Sequence, residues 1–166
     1  MNSKSKYHLS FKKRKILIFF ICRWLDIFQG AEGGILKLAR SYKKFGLQLQ
    51  PNNDITFMEW CPGAKGMRIH GDFNGWNRGE FHCQRNDFGC FTITLKALED
   101  GTPRIKHNTK YKIHVEGADG SWMDRNSAWA TYQVQGDILF DCVFWNPEEK
   151  DKHVWKHIDP VKPKRE

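Results

Sequence analysis

From residue 54 onward, apolar and polar positions alternate along the chain. That is the period of strands that bury one face. Met67-Arg68-Ile69-His70 shows the pattern in miniature. Lys110 to Glu116 shows it at length, with Tyr111, Ile113 and Val115 on one side and Lys110, Lys112, His114 and Glu116 on the other. The first set is the expected core face and the second the outer sheet face, where the Lys112 ammonium would meet water. Strands are predicted near 55–60, 67–71, 91–96, 110–116, 131–135 and 138–145. Between them lie the turn signals Pro62-Gly63, Asn74-Gly75, Asp87-Phe88-Gly89, Asp100-Gly101 and Gly117-Ala118-Asp119-Gly120. Short strands at this spacing predict a mostly β fold, an immunoglobulin-like β-sandwich.

Upstream the period changes. Ile35, Leu38, Ala39 and Tyr42 fall on one helical stripe, which predicts a helix over 31–44 with Gly46 as its stop. Further back, the basic cluster Lys12 to Lys15 precedes the apolar run Ile16 to Cys22, which Arg23 and Asp26 then interrupt. A bilayer takes about 20 apolar residues, so this run is too short to span one. In order of preference, residues 1–29 read as an unstructured leader, a membrane-surface or targeting segment, or a signal peptide cut near Gly30-Ala31. The expected organisation is then a leader at 1–29, a lead-in helix and connection at 30–50, the sandwich at 51–146 and a polar linker at 147–166 carrying Pro160 and Pro163.

Charge narrows the partners. The net charge is +8, but residues 1–29 hold seven Lys/Arg against the single acid Asp26. The remainder is close to balanced, so the fold offers no basic footprint for nucleic acid. The five cysteines (Cys22, Cys61, Cys83, Cys90, Cys142) are odd in number and lack a CxxC pair, which reads as reduced thiols in a cytoplasmic protein. A Cys83–Cys90 bridge across a hairpin is a minor alternative. Seven Trp suit either a β-rich core or a sugar-stacking surface.

Candidate chemistry is sparse. His153 and His157, and His82-Cys83, lack further ligands at metal spacing, so no metal and no cofactor is expected. There is no GxSxG and no Cys/His nucleophile pattern. Asp72, Glu80, Asp87, Asp119 and Asp124 all read as turn formers rather than as a carboxylate pair for glycoside chemistry. Gly71-Asp72-Phe73-Asn74-Gly75-Trp76-Asn77 is the most informative stretch. A strand ends there, Asn74-Gly75 turns the chain tightly, Phe73 plugs the core and Trp76 leaves the turn. Taken alone, Trp76 reads as core or edge packing. Trp122, just after a second turn, reads as an edge cover.

Gly71 to Asn77 resembles the signature of the family 48 carbohydrate-binding module. More of the chain is similar to glycogen- and starch-branching enzymes, in the order that family uses: Glu32-Gly33-Gly34, Tyr42 to Gly46, Glu59 to Ala64, His107 to Lys112, Ala128-Trp129-Ala130, Phe144 to Pro147 and Lys162-Pro163-Lys164. Cys61 stands where the family usually has Ala. The resemblance covers about residues 30–166 and implies the N-terminal region of a 1,4-alpha-glucan branching enzyme. Such enzymes move a glucan chain from an α-1,4 linkage to a 6-hydroxyl through a covalent glycosyl intermediate. Their carboxylates lie in a barrel that would follow this chain, so catalytic residues are not expected here. The partners implied are an α-glucan polymer and that barrel. Carried over by position, the sugar platform of glycogen-binding members falls on Trp76, Lys112 and Trp122, with Asn74 as a hydroxyl partner. The resemblance places Trp60 and Trp145 near the barrel junction, and both, with Trp129, read as packing. A free-standing regulatory glycogen-binding module, like that of the AMP-activated kinase β subunit, is the alternative. A membrane-tethered or nucleic-acid-associated protein led by residues 1–29 is a second.

Overall fold

The computed structural model describes residues 11–136, 140–154 and 156. The chain divides between Phe45 and Gly46 into two compact units. In the first, helix α1 runs from Phe11 to Glu32 and α2 from Ile35 to Ala39, followed by a 3-10 turn at Ser41–Lys44. The single helix predicted over 31–44 is therefore broken. Gly33 (φ 75°) and Gly34 (φ 113°) take left-handed backbone, and their N–H groups donate to the carbonyls of Gln29 and Phe28. This is the glycine device that ends helices by satisfying their last carbonyls. Residues 11–29 belong to α1, so the unstructured-leader expectation fails for them. No described helix is long and apolar enough to cross a membrane.

The second unit is built from strands β1 (Gly46–Leu49), β2 (Ile55–Trp60), β3 (Gly66–Gly71), β4 (Phe81–His82), β5 (Gln84–Arg85), β6 (Cys90–Leu95), β7 (Lys110–Glu116), β8 (Trp122–Arg125), β9 (Tyr132–Gln135) and β10 (Phe140–Val143). One sheet has the order β1-β2-β6-β5. The other has the order β4-β3-β7-β10-β9, with β8 also pairing β7. Every pairing is antiparallel. The six predicted strands are present, β2 and β7 with the predicted bounds and the other four with shifted ends. The sandwich starts at Gly46, earlier than the expected 51, because β1 pairs with β2. Residues 137–139 and most of the predicted linker, 157–166 with Pro160 and Pro163, lie outside the described residues.

The alternation sets the core. Phe57 and Phe91 from one sheet meet Met67, Ile69, Tyr111, Ile113, Val115 and Cys142 from the other. Ile55, Leu95, Ile105 and Phe144 form a second cluster. Phe73 packs against both clusters and lies tilted on Phe81 with ring centres 5.7 Å apart, which is the core plug expected of it. Gly71 marks where the end of β3 crosses closest to the start of β7: a β-carbon there would come 2.8 Å from Tyr111 Cα. Among the buried residues, Glu59 (3% exposed) is an exception to the apolar rule, and Ser127 Oγ donates to it at 2.6 Å. Burial pushes the Glu59 carboxyl above its ordinary 4.5.

Candidate functional site

The site begins with the turn after β3. A 3-10 turn at Asp72–Asn74 leads to Gly75 (φ 61°) and then Trp76 (φ 62°). Left-handed backbone costs a bulky residue about 1–2 kcal/mol, so local contacts hold Trp76 there. Its backbone N–H donates to Gly71 O at 2.9 Å, and its indole Nε1 donates to Asp72 Oδ1, also at 2.9 Å. Asn74 stitches the turn: Oδ1 accepts from Gly71 N–H, while Nδ2 donates to Asn77 O and Glu80 Oε2. Both Asn74 amide protons are thereby used inside the turn, which leaves its oxygen as the group a hydroxyl could reach.

The outer face of the second sheet follows from register. His70 opposes Lys112, Arg68 opposes His114, and Gly66 opposes Glu116 across β3 and β7. On the other edge of β7, His114 pairs with Asp124 and Glu116 with Trp122. Three rows result: His70 with Lys112, then Arg68, His114 and Asp124, then Gly66, Glu116 and Trp122. The Trp76 ring meets His70 edge-on at 5.4 Å. Trp122 stacks on His114 at 5.0 Å and 22°, and the Arg68 guanidinium lies 4.2 Å from its ring centre. Both contacts come from the neighbouring row, so they cover the indole from that side. The indole also reaches across to β3: a β-carbon on Gly66 would stand 2.9 Å from Trp122 Cη2.

Through His70 and His114, Trp76 and Trp122 thus meet the sheet face on which the alternation placed Lys112. Lys112 departs from its expectation. Its side chain is only 12% exposed, and Nζ lies 3.3 Å from Asp141 Oδ1 instead of projecting into water. The register that pairs Cys142 with Tyr111 brings Asp141 beside Lys112, and opposite charges facing each other across strands attract.

Between the indoles lies a polar cluster that the sequence reading missed. Asp124, a turn former on sequence grounds, sits within β8. Arg78 holds both of its oxygens, with Nε at 3.1 Å and Nη2 at 2.6 Å. His114 Nδ1 is 2.7 Å from Asp124 Oδ1. The Arg78 bond above all, assisted by His114, holds the Asp124 carboxyl well below its ordinary 3.8. His70 is fully buried, and burial pushes its imidazole below the usual 6.5. The alternation already placed His70 and His114 outward, but which acid meets them depends on how far β8 extends, and that is not a local signal.

Trp60 and Trp145 do not pack into the core of this unit. Trp60 is 57% exposed and Trp145 49%. Trp60 is tied only at its edge, donating from Nε1 to Phe88 O at 3.0 Å. Trp145 leans on His107 and Tyr132. Trp60 borders an apolar hollow of about 340 Å³ whose lining includes Glu59, Ile113, Val115 and Met123.

An outer sheet face with two anchored indoles and polar groups between them suits a flat ligand ringed by hydroxyls. Residues 44–130 match the family model described as carbohydrate-binding module 48 (isoamylase N-terminal domain). The chain belongs to this family. The 1,4-alpha-glucan-branching enzyme of Yarrowia lipolytica is 40% identical to the module chain over 144 residues, 85% of this chain and 21% of that protein. The chloroplastic/amyloplastic 1,4-alpha-glucan-branching enzyme 1 of Pisum sativum is 37% identical over 137 residues, 80% of this chain and 16% of that protein. The chain therefore spans about a fifth of the length of the curated relatives it matches. The solved structure of pullulanase type I from Bacillus subtilis, complexed with maltose, shares the fold with a TM-score of 0.50 at 19% identity, over 75% of this chain and 16% of that one.

Proposed function

We propose that this chain is the N-terminal glucan-binding region of a 1,4-alpha-glucan-branching enzyme, and that α-glucan lies along the face between Trp76 and Trp122. The observation that carries the binding face is the pair of indoles fixed at its two ends, one of them in left-handed backbone. A glucan ring has weakly apolar C–H faces and a rim of hydroxyls. An indole face of roughly 100 Å² supplies at most ~2.5 kcal/mol against such a ring before desolvation. The Asn74 oxygen and the cluster around Asp124 lie beside the indoles and meet hydroxyls that would otherwise lose hydrogen bonds, and Lys112, opposite His70 in register, adds a donor when it turns from Asp141. Two weak platforms suit a polymer, which offers many sites at once.

The branching-enzyme reading rests on relatives that match beyond the sandwich alone. The free-standing regulatory module is not favoured for that reason. A cytoplasmic setting belongs to this proposal and rests on the odd cysteine count without a CxxC pair. Of the acids read as turn formers, Asp119 bonds within its turn, Asp72 accepts from the Trp76 indole and from the Lys110 backbone, and Asp124 is bound by Arg78. Retention on immobilised glycogen tests the binding proposal. The 166-residue chain should be retained, and the doubly substituted Trp76→Ala/Trp122→Ala chain should not. Equal retention of both, with both folded by circular dichroism, would refute the face. Incubation with iodine-stained amylose should leave its spectrum unchanged.

A further inference from the structure

The cluster between the two indoles has a geometry that the glucan proposal does not use. We propose that His70, His114 and Asp124 form a binding site for a divalent transition-metal ion of the zinc class. One ligand atom from each residue lies within 4.8 Å of the others. Asp124 Oδ1 is the common point, 3.2 Å from His70 Nε2 and 2.7 Å from His114 Nδ1.

His70 supplies the independent observation. The ring is 0% exposed, and neither of its nitrogens makes a hydrogen bond. Leaving such a buried group unsatisfied is unfavourable, because it has lost its bonds to water and gained none in return. Its Nε2 is close enough to Asp124 to bond but is not aligned to do so. A hydrogen bond aims the donor at the acceptor. Two ligands of a shared ion aim their lone pairs at a third point, and near but misaligned atoms are the result.

The donor set indicates the ion. Imidazole nitrogens with one carboxylate suit zinc and its neighbours, whereas calcium and magnesium take oxygen ligands. Tetrahedral zinc separates its ligand atoms by roughly 3.4 Å. The His70–Asp124 spacing fits already, and the His114–Asp124 spacing has to open. Three protein ligands leave a fourth position for water or another oxygen.

Arg78 is the competitor, since its guanidinium occupies both Asp124 oxygens. Its side chain is 52% exposed, so it can turn into water when an ion arrives. The competition gives the proposal a signature with an unusual sign. Removing a cation beside the site should tighten metal binding, here by about tenfold for Arg78→Ala. A purely structural Arg78–Asp124 pair would give destabilisation and no gain of metal.

The test needs no sugar, so its result is independent of the glucan proposal. The full chain is titrated with zinc chloride by calorimetry and with cobalt chloride by visible absorption. One equivalent should bind, with the absorption bands of tetrahedral cobalt. His114→Ala and Asp124→Asn should each weaken binding by at least about tenfold, since losing even a group that only supports a ligand costs that much. His82→Ala and His153→Ala, outside the site, should leave binding unchanged. Thermal melts establish that each variant is folded, and Arg78→Ala keeps all three ligands. Absence of stoichiometric binding, indifference to His114→Ala and Asp124→Asn, or no gain from Arg78→Ala would each overturn the site.

Discussion

Trp76 and Trp122, and Trp60 and Trp145, are aromatic rings on the surface of one small sandwich, yet their surroundings differ. The first pair shares a sheet face and is fixed from below. Trp76 is held through Asp72 and His70, and Trp122 through His114, Arg68 and the missing side chain of Gly66. The second pair is about half exposed: Trp60 is held through its indole N–H, and Trp145 meets the rings of His107 and Tyr132. A ring that is to stack on a ligand gains from being immobilised beforehand, because its ordering entropy is then not charged to binding. An exposed ring without such support is the kind of surface that another protein surface covers. The proposed division between the two pairs rests on this difference in support, and exposure alone would not give it.

The largest effect expected from breaking the comparison is on glycogen affinity. Trp76→Ala and Trp122→Ala should each remove up to ~2 kcal/mol, roughly thirtyfold, in affinity electrophoresis on glycogen gels. Trp145→Ala should leave mobility in such gels unaltered. If Trp145→Ala costs as much as Trp122→Ala, the division between the pairs is wrong.

Next in size is Lys112. Its replacement by Ala breaks the contact with Asp141 on a largely covered side chain and should lower stability by about 1 kcal/mol, read by urea denaturation. A double-mutant cycle with Asp141→Ala should recover most of that as coupling. Independent additivity of the two would show that the ion pair contributes nothing.

Acid titration gives a third expectation. The folded-state pKa of Asp124 is depressed, so below its ordinary 3.8 the unfolded chain binds more protons there. Its contribution is present above the ordinary value and is lost as pH falls toward the folded one. Glu59 has the opposite sign. Its folded-state pKa is raised above 4.5, so its contribution falls as pH rises through and beyond that value. Asp124→Asn should flatten the acid limb of a melting-temperature profile below about pH 4, with Glu59 still acting above it. An acid limb unchanged by Asp124→Asn would remove Asp124 from the account.

The smallest effect is expected of Trp60→Ala. With that ring 57% exposed, stability should change by less than about 0.5 kcal/mol and glycogen affinity not at all. A large fall in melting temperature would restore the packing role that the sequence suggested for it.

What was legible in the sequence follows from which signals are local. Tyr111, Ile113 and Val115 alternate with polar neighbours, so the core face of β7 and its outer partners could be read directly. Asn74-Gly75 and the glycines after Glu116 fixed two turns, and with them the places of Trp76 and Trp122. The helix expected over 31–44 does not form as one piece, because Gly33-Gly34 is a stronger local signal than the apolar stripe it interrupts. β8 was missed because four residues carry too little periodicity, and Asp124 was then misassigned along with it. The partners of Lys112 and His70 depend on cross-strand register, which joins residues far apart in the chain. No inspection of their neighbours in sequence would have found Asp141 or Asp124.

Asp72 joins two places that are otherwise separate. One of its oxygens accepts the Trp76 indole proton, and the other accepts the backbone N–H of Lys110 at the head of β7. Any ligand that shifts the indole pulls on the same carboxylate, so the Lys110 amide senses events at Trp76 without touching the ligand. In a two-dimensional nitrogen–proton spectrum, that amide should move with the indole resonance during a maltooligosaccharide titration. In hydrogen exchange it should become slower to exchange as the indole is pinned. Asp72→Asn keeps the shape of the side chain but turns one acceptor into a donor, and it should uncouple the two signals. The chain thus contains its own spectroscopic reporter, placed at the first residue of its central strand.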